Sequence, residues 1–179
     1  MKSSSESPRS LALLMVLILA LAGATAIATP LPPVLEAALI AQIFRNDLTI
    51  KALPAAAVQL LLLDDGQHNA ALTHIEEALV PTRIPTRRLP PSELSGRIKA
   101  AAIYVPGAIA LEALQTFCTA NAVLSITSDT DLTVSGHAAI GLGTSQQDRP
   151  EIVVHARRLA SEKHDLSPNL LKAARILGG

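Results

Sequence analysis

The chain has 179 residues, 49% of them apolar, which is enough to build one domain around its own core and excludes a disordered chain. Fifteen basic residues balance fifteen acidic ones, so no general attraction to nucleic acid or to an anionic membrane follows, and three aromatics (Phe44, Tyr104, Phe117) leave little to stack on bases. A single cysteine, Cys118, excludes an intramolecular disulfide.

The first segment, "MKSSSESPRS", carries Lys2 and Arg9. The short apolar run "LALLMVLILALAGA" and the small-x-small series "ATAIA" follow. This order predicts a secretory signal peptide over residues 1–28, cut after Ala26 or Ala28, and a single exported mature domain over 29–179. A retained anchor is the alternative, for which the apolar stretch is short against a span of about 20 residues. Without Lys2, Arg9 and Glu6 the mature chain has 13 basic and 14 acidic residues. No membrane insertion is expected after cleavage.

After "TPLPP", Leu35, Leu39 and Ile43 recur in "VLEAALIAQIFRND" at helical spacing, predicting an amphipathic helix that ends near Asn46 and Asp47. "VQLLLLDDG" reads as a strand buried on both faces, and Ala71, Leu72, Ile75 and Leu79 give a helix behind it. The unit then repeats. "TRIPTRRL" is a second strand, placed at an edge by Pro85; "PSELSG" is a short helix; "AAIYVPG" is a third strand; "AIALEALQTFCTAN" is a helix; "AVLSITSD" is a fourth strand. The fold class that follows is α/β, a mainly parallel sheet with helices on both faces and right-handed crossovers.

From Asp131 onward, "HAAIGLG" and "EIVVHA" around a polar turn predict an antiparallel hairpin. "GLGTS" could begin a phosphate cradle, but "QQDRP" and a β-branched run follow it where such a cradle needs a helix, so its glycines belong to a strand near its turn. With the turn near Gln147, Ile140, Leu142, Ile152 and Val154 face the core, and His137 and His155 share the other face. A closing helix follows, with Ser167 as cap, Pro168 at its first position, and Leu170, Leu171, Ala174 and Leu177 on one face before Gly178.

The chemistry on offer is sparse. Asp64 and Asp65 end the first strand, where they cap the next helix or line the crevice in which such sheets bind ligands. The third aspartate of a phosphoacceptor receiver is missing, because "AAIYVPG" puts Val105 and Pro106 in its place. The five histidines (His68, His74, His137, His155, His164) form no compact metal motif; His137 and His155 offer a pair for a metal, a proton or simply solvent. Cys118 falls on a helix beside Leu114 and Phe117 as a small buried hydrophobe, and no serine sits in a GxSxG elbow. No catalytic residue, metal site or cofactor is expected, and the chain reads as a non-enzyme.

The order of "RRL" (Arg87 to Leu89), "SELSG" (Ser92 to Gly96), "GHAAIGLG", "VVHARRLA" and "LSPNLLKAARIL" resembles the YfiR-like family of periplasmic proteins over essentially the whole mature chain. The family's aromatic first helix, Trp-Pro pair and bridging cysteines have no counterpart here. The resemblance implies a non-enzymatic repressor, often dimeric, that binds the periplasmic domain of a membrane diguanylate cyclase and so restrains cyclic-di-GMP signalling. The stretch 149–179 holds six basic residues against three acidic, which makes Arg157 and Arg158, with His137 and His155, the expected partner contacts. The alternatives are a periplasmic small-ligand-binding module using the crevice at Asp64 and Asp65, and an enzyme, which would need a convergent polar pocket.

Overall fold

The computed structural model describes residues 31–178; the expected signal peptide lies outside them. Seven strands form one sheet in the order β2-β1-β3-β4-β5-β6-β7. They are β1 (Leu60–Leu63), β2 (Thr86–Leu89), β3 (Ala102–Val105), β4 (Leu124–Thr127), β5 (Ile140–Thr144), β6 (Pro150–His155) and β7 (Arg175–Leu177). The first five run parallel, β6 is antiparallel to β5, and β7 is parallel to β6. The helices are α1 (Pro33–Asn46), α2 (Leu48–Lys51), α3 (Asn69–Leu79), α4 (Leu111–Asn121), α5 (Thr130–Val134), α6 (Ala156–Ser161) and α7 (Pro168–Ala173). The α/β class, the mainly parallel sheet and the antiparallel hairpin stand as the sequence indicates.

The four leucines of β1 show why that strand needs no polar residue. Leu60 and Leu62 join the core under α1 and α3, while Leu61 and Leu63 join a second core with Leu114, Phe117 and Cys118 of α4. Alternation of side chains across a doubly covered sheet makes every position apolar. β2 is the edge strand, and Pro85 stands just before it, its carbonyl accepting from Leu60 N–H at 2.8 Å. Ile140, Leu142, Ile152 and Val154 lie in the first core as their parity requires.

Two expectations are corrected, on the face of α1 and the end of the closing helix, and one helix, α5, is added. In α1 the buried positions are Glu36, Ala37, Ile40, Ala41, Ile43 and Phe44, and Leu35 is 41% exposed, so the buried stripe is turned from the one marked by Leu35, Leu39 and Ile43. α5 stands between β4 and β5, which makes β5 a parallel neighbour reached by a crossover. The closing helix stops at Ala173: Ile176 pairs with Val154 in β7, because the outer edge of β6 offers backbone groups that a strand satisfies and a helix does not. The caps at Ser167 and Pro168 hold as expected.

The glycines of "GLGTS" also find their reason. A Cβ on Gly141 would stand 2.7 Å from Thr133 Oγ1, and one on Gly143 would stand 2.7 Å from Thr130 Cγ2. α5 lies against β5 at a distance only glycine permits. Among the described residues, no helix is long and apolar enough to cross a membrane.

Candidate functional site

In the order 2-1-3-4-5 the crossovers leave β1 in one direction and reach β3 from the other, so the switch point lies between the C-terminal ends of β1 and β3. Asp64 and Asp65 follow β1 directly. Asp64 Oδ1 accepts from Gly66 N–H at 2.9 Å, and its Oδ2 accepts from Arg88 at 3.2 Å. Arg88, on β2, also donates to Glu76 at 2.8 and 3.1 Å, to Asn69 at 2.6 Å and to Thr73 at 2.8 Å, binding the start of α3 to the edge strand. The hydrogen bond to Glu76, ahead of that to Asp64, holds the guanidinium above its ordinary pKa.

Asp65 is not a helix cap; it closes a turn on itself. Its Oδ1 accepts from Gln67 N–H at 2.9 Å and lies 3.1 Å from His68 Nδ1. The hydrogen bonds from His68 and Gln67 hold its carboxyl below the usual range. Its Nε2 faces Gly107, where a Cβ would stand 3.3 Å away, so the His68 ring lies between the loops after β1 and β3 at the switch point.

On the α1 side of the sheet, at the same strand ends, Tyr104 Oη donates to Glu36 at 3.3 and 3.4 Å. Glu36 is 6% exposed. Burial pushes its carboxyl up to about 7, partly offset by the Tyr104 hydrogen bond. Burial and the neighbouring Glu36 charge push the Tyr104 phenol up as well. Sequence reasoning missed this pair; the available signal was a glutamate at the spacing of Ile40 and Ile43, on the buried stripe of α1.

The expected partner contacts separate. Arg157 is exposed at the start of α6. Arg158 is not: its side chain is 11% exposed, donates from Nε to Glu162 at 2.8 Å and reaches the Gln115 carbonyl at 2.9 Å. Glu162, fully buried, accepts from Ser125 N–H at 2.8 Å and Ser125 Oγ at 2.7 Å. The pairing of β4 with β5 begins only at Ile126, so on that side Glu162 serves Ser125 where β5 does not. Burial raises its pKa despite these donors. Arg158 is thereby withdrawn from any contact surface, and Arg175 is engaged by Glu151 at 3.4 Å.

His137 and His155 have separate partners. His137 Nδ1 lies 2.9 Å from Gln115 Nε2, and His155 caps α6 by accepting from Arg158 N–H at 3.2 Å, its ring against Gly136 and Gly178. Among the described residues no group of three or more His, Cys, Asp or Glu could hold a metal ion. Cys118 is fully buried, as expected.

No family model and no curated protein matches the chain. Among solved structures it is similar to a conserved domain protein from Vibrio cholerae, with a TM-score of 0.62 and 11% identity over 81% of this chain and 60% of that one. It is also similar to an ABC domain in complex with L-Trp from Streptococcus pneumonia, with a TM-score of 0.60 and 11% identity over 82% of this chain and 60% of that one. The chain thus spans 60% of the length of each. At this identity the likeness is one of fold.

Proposed function

We propose that the chain is a non-enzymatic periplasmic regulator, of the YfiR-like kind, that restrains a membrane diguanylate cyclase by binding its periplasmic domain. The observation that carries this reading is how the acidic groups at the strand ends are matched from within the chain: Asp64 by Arg88, Asp65 by His68, Glu36 by Tyr104. Such pairs fix loops and helix starts, which suits a surface made for binding more than a site made for turnover. In support, the segments that carry the resemblance in the C-terminal third fold next to one another as β5, β6, α6, α7 and β7. Arg157 is the contact residue of this reading. Deleting the gene in a strain whose membrane cyclase is present and active is expected to raise cyclic-di-GMP, and the wild-type gene to restore it; an unchanged level overturns the proposal.

The position of Asp65 and His68 at the switch point favours a second reading, a periplasmic small-ligand-binding module. The fold likeness to a domain that holds L-Trp names a first ligand to try. A saturable rise in melting temperature with L-Trp, lost in His68→Ala, would support it.

A further inference from the structure

At the other end of the sheet, before β1 and β2 begin, α1, α2 and the Val80–Thr82 turn line an open cavity of about 690 Å³. Its floor is apolar: Ala41, Phe44 and Ile50 are buried, with Leu53, Val58 and Ile84 half-buried around them. Its polar lining is Arg45, Lys51 and Thr82, and no acidic residue lines it. The Thr82 hydroxyl is spent on the Leu79 carbonyl at 2.6 Å. Arg45 and Lys51 are exposed, and neither side chain makes an ion pair or hydrogen bond with another described residue. The two cations stand over an apolar hollow with no carboxylate of the described residues against them.

We infer that this cavity binds a small apolar carboxylate, its hydrocarbon on the floor of Ala41, Phe44 and Ile50 and its charge met by Arg45 and Lys51. The volume falls within the range of about 300–1,000 Å³ typical of sites for small molecules, which pair an apolar lining with a few placed polar groups. Apolar burial supplies non-directional affinity; the cations select an anion over a neutral molecule of the same shape. The site is remote from Asp64 and Asp65 and does not depend on the cyclase reading.

The test is calorimetric titration of the purified protein with decanoate, below its micelle concentration, and with decanol. Decanoate is expected to bind saturably at one site, about tenfold tighter than decanol, the difference a charge-assisted hydrogen bond supplies. Arg45→Gln with Lys51→Gln removes that preference. Ala38→Trp, at an exposed lining position on α1, blocks the cavity and abolishes binding while the melting temperature holds. No saturable binding, equal affinity for decanol, or binding that survives Ala38→Trp overturns the assignment. So does attachment to phosphatidylglycerol vesicles that survives Ala38→Trp and is lost on changing the exposed Val80 to serine, because the cations would then serve a membrane surface.

Discussion

Tyr104 Oη stands 3.3 Å from Glu36 Oε2, and this contact places an ionisable group from the first turn of α1 inside the core above β3. The hydrogen bond favours the carboxylate and burial opposes it; burial wins, leaving the pKa at about 7.

That raised pKa makes stability depend on pH. Between the ordinary value of 4.5 and about 7 the folded chain binds a proton that the unfolded chain has released, so Glu36 costs nothing below 4.5 and stability falls as pH rises through about 7. The gap corresponds to about 3 kcal/mol. Glu36→Gln is therefore expected to match the wild type at pH 4.5 and to exceed it by about 3 kcal/mol at pH 8, measured by urea unfolding at each pH. A constant difference across that range would show that Glu36 is not the titrating group.

Gly141 is held by contact, not by backbone conformation. Its φ is not in the left-handed region, but a Cβ there would also stand 3.3 Å from Thr130 Cα, in the backbone of α5. Gly141→Ala is expected to cost about 1–3 kcal/mol by overpacking. Thr133 Oγ1 is buried with no hydrogen-bond partner among the described residues, so Thr133→Ala alone should be near neutral and should recover part of the loss in the double variant. Thermal unfolding of the four proteins decides it.

Arg157 and Arg158 are neighbours in sequence and opposites in role. Removing Arg158 leaves Glu162 buried without its counter-charge, so Arg158→Ala is expected to cost about 3–5 kcal/mol. Arg157→Glu should stay within about 0.5 kcal/mol of the wild type. If the cyclase reading holds, it should also weaken binding to the cyclase's periplasmic domain, most at low salt. Reversing both residues together would confuse a folding defect with a binding defect.

Much of the frame was legible because local rules and tertiary packing agree there. The leucines of β1, the proline before β2, the alternation across β5 and β6, and the Ser167-Pro168 start of α7 each state one preference that packing then uses. Where long-range pairing decides, the sequence misleads. "AARIL" continues a helical pattern, yet the open edge of β6 draws Arg175–Leu177 into a strand. Glu36 and Glu162 carry no sequence mark of burial beyond standing beside apolar residues, and Arg158 reads as surface until its distance to Glu162 is known. Of the candidate site, Asp64 and Asp65 were visible; His68 holds Asp65 from three residues on, while Arg88, which holds Asp64, comes from β2, 24 residues away.

The last expectation concerns how the C-terminal third is fastened to the rest. His164 Nδ1 lies 2.8 Å from Asp47 Oδ2 and its Nε2 lies 3.2 Å from the Ala122 carbonyl, so both ring nitrogens face acceptors and one side chain joins α1, the turn after α4 and the segment before α7. Asp47 also accepts from Ile50 N–H at 2.9 Å as the cap of α2, and Asn46 O accepts from Ser167 N–H at 2.8 Å beside it. Both side chains of the pair are wholly buried. Breaking one partner leaves the other buried and unmatched, which is expected to cost about 3–5 kcal/mol in His164→Gln or in Asp47→Asn. The double variant should cost less than the two losses added, because the same contact is removed twice. Full additivity would mean that each residue acts through its other hydrogen bonds, Ile50 for Asp47 and Ala122 for His164, and that the fastening rests on those backbone contacts.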